Sequence, residues 1–140
     1  SKKIAKDGEG ATKLIECTVK NANSIEEAEA LSKSVITSSL VKAAIFGSDA
    51  NWGRILCALG YSGIDFDPEK VDVSFASTAG EILVCQDGAS VSFNEAKAKE
   101  ILLQDEIKIL IDMKLASYAA TTWGCDLTYD YVKINGDYRS

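Results

Sequence analysis

IKILIDMKL, at residues 107–115, is the most regular stretch of the chain and decides its class of fold. Apolar side chains stand at every second position from Ile107 to Leu115, and charged side chains fill most of the positions between them. Successive side chains of a β-strand point to opposite faces of a sheet, so this period predicts a strand with one buried face. The core of the fold is therefore expected to contain a β-sheet.

Other segments share this alternation, or the aliphatic and aromatic composition that strands favour. Strands are predicted at residues 14–20, 71–75, 82–85 and 119–123, with Ala79 and Gly80 as a hairpin turn. Residues 127–134 fit either a strand or a helix. The chain thus supplies several strands, spaced too irregularly for repeated βαβ units.

Helical segments interrupt the strands. Ser24 followed by Glu27 is a capping box, and the helix that it begins has an apolar stripe of Ala28, Leu31 and Val35. A second helix is predicted over residues 51–59, ended by Gly60, and a third begins at Ser92 or Asn94 and runs to about residue 103. We expect one α+β domain over residues 1–140, a mixed sheet with helices packed on one face.

Composition excludes several classes of function. The 140 residues are 46% apolar and carry a net charge of −6, without a basic stripe that could neutralise nucleic-acid phosphates. No apolar run reaches the length of a membrane span, and no signal peptide is visible. These features are typical of a cytoplasmic domain that binds neither nucleic acid nor membrane.

Cysteine and histidine usage argues against a metal site. Histidine is absent, and the four cysteines lie far apart with no CxxC pair. Asp126, Asp130 and Asp137 do not have the every-second-residue spacing of a calcium loop. The cysteines are interpreted as small buried residues in a reducing compartment, although spacing leaves a disulfide open.

Two glycine-containing motifs are candidates for ligand binding. DGEGATK, residues 7–13, lacks the preceding strand and the spacing of a phosphate loop, which leaves Glu9 between two glycines in a turn or a ligand site. NWGR, residues 51–54, predicts a helix start capped by Asp49 or Asn51, with Arg54 in a structural salt bridge. Lys97, Lys99 and Lys114 are interpreted as solvated. No serine or threonine has an evident activating base.

The last eighteen residues, WGCDLTYDYVKINGDYRS at 123–140, are unusually aromatic for a C-terminus. Tyr129, Tyr131 and Tyr138 carry apolar area that needs a packing partner. We therefore expect the tail to be docked, which would bring Asn135 toward the interior.

Three segments together resemble the ornithine acetyltransferase family, also called glutamate N-acetyltransferase: DGEGATK at 7–13, LVKAAIFGSDANWGRILCALGYSG at 40–63, and residues 123–140. The resemblance implies a precursor that cuts itself before a threonine into α and β chains. That threonine carries acetyl from N-acetylornithine to glutamate, and in bifunctional members acetyl-CoA is a co-substrate. The threonine motif is absent here, so the resemblance implies the C-terminal portion of the β chain, without a catalytic residue or a bound cofactor.

The resemblance also implies substrate contacts. Glu9, Asn135 and Ser140 match the family's substrate-binding positions, and Glu9 is expected to pair with a substrate ammonium. Ser140 stands where threonine is more common, and Gly136 and Ala50 replace the usual alanine and proline.

The implied partners are the upstream α chain and the N-terminal part of the β chain, forming a hetero-oligomer that handles N-acetylornithine, ornithine and glutamate. Two alternatives remain open at this point. One is a fragment of a related self-processing aminopeptidase, and the other is a non-catalytic interaction domain.

Overall fold

Strand β5 (Glu106–Asp112) lies near the middle of the sheet, as the regular alternation of its sequence predicts. The computed structural model describes residues 13–125. Within that range β5 pairs in parallel with β1 (Leu14–Ala22) and antiparallel with β2 (Asp72–Ser77). β6 (Tyr118–Cys125) pairs antiparallel with β1, while β3 (Gly80–Gln86) and the short β4 (Ala89–Ser90) extend the other side. The strand order is β4-β3-β2-β5-β1-β6.

The described residues also form helices α1 (Ile25–Ile36), α2 (Ser39–Phe46), α3 (Trp52–Gly60) and α4 (Glu95–Leu102), and a 3₁₀ turn at Pro68–Lys70. Each helix begins where a short polar side chain accepts a hydrogen bond from an otherwise unpaired N–H. The caps are Ser24, Ser38, Asn51 and Asn94, so Asn94 and not Ser92 starts α4. The sequence patterns did not predict the helix over Ser39–Phe46.

One face of the sheet carries the hydrophobic core. Parallel register sets Ile15 beside Ile107 and Cys17 beside Ile109, and antiparallel register sets Phe75 on the other side of Ile109. These side chains are at most 1% exposed and pack with Leu31 of α1, Ile55 of α3 and Ile101 of α4 in one cluster. The prediction of a mixed sheet with helices on one face is confirmed.

The other face of the sheet, called here the open face, is more polar and partly exposed. It carries Thr18, whose hydroxyl bonds to that of Thr121, and Glu16, which accepts a hydrogen bond from the indole of Trp123 at 2.9 Å. Leu83 and Trp123 on this face are 38% and 52% exposed. The sheet is therefore covered by helices of this chain on one side only within residues 13–125.

Several sequence expectations need correction. Cys57 is exposed on α3, not buried, because it lies off the apolar stripe formed by Ile55, Ala58 and Leu59. Lys97 and Lys114 are not simply solvated: the ammonium of Lys97 bonds to the Ala79 carbonyl and Glu100, and that of Lys114 to Asp72 and Asp87. The 127–134 element and the docked tail lie outside the described residues. In residues 13–125 no helix is long and apolar enough to cross a membrane.

Candidate substrate site

The substrate-binding positions expected from the sequence, Glu9, Asn135 and Ser140, lie outside the described residues. The structure shows, however, where the chain segments that carry them join the sheet. The first segment meets the sheet at Lys13, and the last leaves it at Cys125. The position of these two junctions therefore decides whether the predicted residues can share a site.

Both junctions lie at the same end of the sheet. Leu14 is paired with Cys125 across the antiparallel β1–β6 ladder, and with Glu106 across the parallel β1–β5 ladder. Paired strands in a sheet run about 4.8 Å apart, so the two junctions lie side by side. We call this the site end. The opposite end, where Asp72 pairs with Asp112, is the far end.

A cavity lies where the open face meets the site end. It has a volume of about 530 Å³ and is lined by Ala76, Ser77, Thr78, Gln104, Asp105, Glu106 and Lys108. Acidic, basic, hydroxyl and amide residues are thus among those that line one space, a composition compatible with a ligand that carries both ammonium and carboxylate groups. This volume falls in the range of small-molecule sites.

Lys13 is the most unusual side chain at the site end, because it is charged and only 8% exposed. Its ammonium donates to the carbonyl of Ile45 at 2.7 Å, to the hydroxyl of Ser48 at 2.9 Å and to the carbonyl of Leu102 at 2.6 Å. Sequence reasoning considered Lys13 only within the rejected phosphate loop. A lysine directly before an apolar strand was the signal available, and it did not distinguish a buried ammonium from a solvated one.

The contact between Lys13 and Ser48 brings a hydroxyl beside an amine, the composition of a serine–lysine nucleophile pair. Three acceptors around Lys13 use all three N–H bonds of an ammonium, whereas a neutral amine has only two N–H bonds. The arrangement therefore favours the protonated form, which has no lone pair to accept the Ser48 proton. This geometry favours a structural pair over a catalytic base and nucleophile.

The NWGR segment is also structural. The side chain of Asn51 accepts from the Arg54 N–H at 3.1 Å and caps α3, which decides between the two predicted caps. The Arg54 guanidinium donates to the Leu40 carbonyl at 3.0 Å. The expected salt bridge of Arg54 was wrong within residues 13–125, where its partner is this carbonyl. Trp52 packs, partly buried, against the core.

Two of the four cysteine thiols are poor nucleophiles. None of the four cysteines is in a disulfide, so the one that the sequence left open is not formed. Burial raises the pKa of the Cys17 thiol, and burial followed by the charge of Asp72 raises the pKa of Cys85. A raised pKa lowers the thiolate fraction, which is the nucleophilic form. Among residues 13–125 no group of three His, Cys, Asp or Glu residues is placed to hold a metal ion.

Comparison with known proteins assigns the chain to a family. The model of the ArgJ family matches residues 1–140. The chain belongs to the ArgJ family. Two relatives named arginine biosynthesis bifunctional protein ArgJ are 58% identical over 98% of the chain, from Caldanaerobacter subterraneus subsp. tengcongensis, and 59% identical over 100%, from Clostridium acetobutylicum. A relative named glutamate N-acetyltransferase, from Methanocaldococcus jannaschii, is 47% identical over 100% of the chain.

A solved ArgJ structure supports the fold. The crystal structure of the arginine biosynthesis bifunctional protein ArgJ from Bacillus halodurans matches 98% of this chain with a TM-score of 0.90 and 44% identity. The match covers 63% of that chain. This chain spans about a third of the length of the family members it matches, 34% for the first two relatives and 36% for the third.

Proposed function

We propose that this chain is the substrate-binding part of an enzyme that transfers acetyl from N-acetylornithine to glutamate in arginine biosynthesis. The pairing of Leu14 with Cys125 carries the proposal, because it joins the segments of Glu9 and of Asn135 and Ser140 to one end of the sheet. Membership of the ArgJ family and the names of the relatives support the same activity. The cavity at that end has charged and hydrogen-bonding residues in a largely apolar lining, which suits amino-acid substrates.

The proposed chemistry uses a threonine supplied by an upstream part of the protein. Its Oγ attacks the acetyl carbonyl of N-acetylornithine, the carbonyl–nitrogen bond breaks, and ornithine leaves with the proton from the hydroxyl. The amine of glutamate then attacks the acetyl-threonine ester, forming N-acetylglutamate and returning the proton to the threonine. The threonine's own α-amine serves as base, and donors of the α chain stabilise the oxyanion.

The proposed task of this chain is to hold the substrates. The carboxylate of Glu9 pairs with an ammonium, while the amide of Asn135 and the hydroxyl of Ser140 hydrogen-bond to a carboxylate or carbonyl oxygen. Binding of this kind raises the rate by fixing the reacting groups in the productive orientation. Neither step needs a bound cofactor, and acetyl-CoA enters only as a co-substrate.

The open face is the proposed contact surface for the rest of the enzyme. Leu83 on β3 and Trp123 on β6 expose apolar area there, and the polar side chain of Lys108 lies on β5 between these two strands. We expect the α chain and the N-terminal part of the β chain to pack on this face and to close the cavity, as one hetero-oligomer in the cytoplasm.

Acetyl transfer by the complete protein tests the proposal. We expect N-acetylglutamate to form from N-acetylornithine and glutamate, and this chain alone to be inactive. Glu9→Gln should raise the KM for N-acetylornithine about tenfold or more, since a charged hydrogen bond contributes roughly 1.5–3 kcal/mol. The matched control is Glu69→Gln, an exposed glutamate in the 3₁₀ turn at the far end, which should leave KM unchanged.

Other outcomes would point elsewhere. Peptide hydrolysis without acetyl transfer would favour the aminopeptidase alternative, and neither activity in a folded, self-cleaved protein would favour a non-catalytic domain. An unchanged KM and turnover for Glu9→Gln would remove Glu9 from the substrate contacts. Formation of N-acetylglutamate from acetyl-CoA and glutamate would show that the enzyme is bifunctional.

A further inference from the structure

We propose that Lys13 is a positioning residue that fixes the wall of the site-end cavity and thereby sets the affinity for substrate. The identity of that substrate rests on the proposed function. The contacts that carry the inference all lie within residues 13–125, and the proposed chemistry does not use the Lys13 side chain.

The ammonium of Lys13 joins the last turns of two helices. Ile45 belongs to the last turn of α2, and Leu102 is the last residue of α4, so neither carbonyl accepts from an N–H of its own helix, although that of Ile45 also accepts from the Ser48 N–H at 3.0 Å. Helix C-termini carry partial negative charge, which stabilises a cation placed there. Lys13 thus supplies donors and charge at one point where both helices end.

The same contact fixes the connection that follows α4. The Leu102 carbonyl is held by the ammonium of Lys13, and the Asp105 carbonyl accepts from the N–H of Leu14 at 2.8 Å. Two consecutive residues at the start of β1 therefore hold both ends of the three-residue connection 103–105. Gln104 and Asp105 in this connection line the cavity. Displacing the ammonium would release one end of that wall.

A purely structural role predicts different kinetics from a positioning role. If Lys13 only stabilised the fold, its loss would lower the fraction of active enzyme, which lowers the apparent kcat and leaves KM unchanged. If Lys13 sets the position of the cavity wall, the folded enzyme keeps its nucleophile and binds substrate less well. KM then rises while kcat changes little.

The test compares Lys13→Met with Lys20→Met in the complete protein. Lys20 lies on the same strand with an exposed side chain, so it is a matched control. We expect Lys13→Met to raise the KM for N-acetylornithine about tenfold with kcat within about threefold of wild type, because small misplacements of binding groups are costly. Lys20→Met should change neither. An unchanged KM in a folded Lys13→Met enzyme would overturn the proposal.

Ser48→Ala provides a milder variant if Lys13→Met does not fold. It removes one acceptor of the ammonium and keeps both carbonyls. We expect a KM increase of about twofold to threefold, since only one neutral hydrogen bond is lost. No change in KM for Ser48→Ala, in the absence of a folded Lys13→Met, would overturn the proposal as well.

Hydrogen exchange separates failure of this inference from failure of the proposed function. In Lys13→Met or Ser48→Ala, amides of residues 103–106 and of Leu14 should exchange faster than in wild type, while those of the Asp72–Ser77 strand should not. If the complete wild-type protein transfers no acetyl group, the proposed function fails, and hydrogen exchange still tests whether Lys13 holds the connection 103–105 in place. Equal hydrogen exchange at residues 103–106 in variant and wild type would show that it does not, and would overturn the inference.

Discussion

The two ends of the sheet each hold a lysine with several oxygen partners, and the two lysines differ in what surrounds them. At the site end Lys13 is buried and bonds to the backbone carbonyls of Ile45 and Leu102. At the far end the Lys114 side chain is 33% exposed and pairs with Asp72 at 2.9 Å and Asp87 at 2.7 Å. The carbonyls at helix ends belong to the backbone and move only with their helices. An exposed carboxylate such as that of Asp87 can exchange its lysine partner for water.

This difference indicates which end of the sheet holds its surroundings in the more rigid arrangement. Lys114 and Asp87 both have positive φ angles, 56° and 52°, so the far-end ion pairs fasten the turns after β5 and β3. The site end instead fixes the wall of a cavity through Lys13. We therefore expect substitutions at the site end to affect both stability and binding, and substitutions at the far end to affect little of either.

The largest expected effect is the loss of stability in Lys13→Met. Removing the ammonium takes a charged hydrogen-bond donor away from two buried carbonyls. The free energy of unfolding of the 140-residue chain should therefore fall by roughly 3 kcal/mol. Urea denaturation followed by circular dichroism measures this loss. Lys114→Met should shift the urea midpoint far less. Equal shifts for both variants would remove the contrast between the two ends.

A second comparison uses glycines. A Cβ added at Gly124, on β6 at the site end, would lie 2.7 Å from Cγ2 of Ile36 in α1, so the Ile36 side chain or the helix that carries it would have to shift. Gly124→Ala should therefore lower the free energy of unfolding by about 2 kcal/mol through overpacking. At Gly60, the last residue of α3, an added Cβ would meet no atom within 4 Å, and Gly60→Ala serves as the control. A stable Gly124→Ala would show that α1 is loosely packed at this end.

The far-end ion pair should respond to salt and only weakly to pH. Hydrogen bonds to Asp87 and then Asp72 raise the pKa of Lys114 above its ordinary value of 10.5. A raised pKa means that the stabilisation is complete below pH 10.5 and is lost as the pH rises through the folded-state value. The small difference in urea midpoint between wild type and Lys114→Met should thus be constant from about pH 6 to 9 and shrink in about 1 M salt. A difference that changes across neutral pH would contradict this assignment.

The smallest expected effect is at Cys57. Its side chain is exposed, so a thiol reagent should label Cys57 in the folded chain while Cys17, buried and with a raised pKa, reacts only on unfolding. Cys57→Ser should change the free energy of unfolding by less than about 0.5 kcal/mol, as is usual for surface substitutions. Mass spectrometry of labelled peptides gives the reaction order. Early labelling of Cys17 would mean that β1 opens in the native state.

Much of the fold could be predicted from local patterns. The alternation around Ile109 and Cys17 located two central strands, and the Ser24 capping box located α1. Helix α2 was missed because eight residues give too few turns for a 3.6-residue period to stand out from an apolar run. Strand order and the parallel β1–β5 pairing were not predictable, because they depend on contacts between distant segments.

The candidate site was less predictable. Glu9, Asn135 and Ser140 came from resemblance to a family, and no local rule of chemistry singled them out. Their convergence depends on the register that sets Leu14 opposite Cys125, which is a tertiary property. Lys13 was overlooked because burial of a lysine is decided by the helix ends that surround it, which are 32 and 89 residues away in the chain.

The central claim is that the site end binds the substrate, and a crystal structure of the complete protein with ornithine bound would test it most directly. We expect the ligand in the cavity beside Glu106 and Lys108, with an ammonium in ion-pair contact with Glu9 and with Asn135 or Ser140 bonded to its carboxylate. Ornithine bound at the far end, near Asp72 and Lys114, or bound without contact to Glu9, Asn135 and Ser140, would contradict the account.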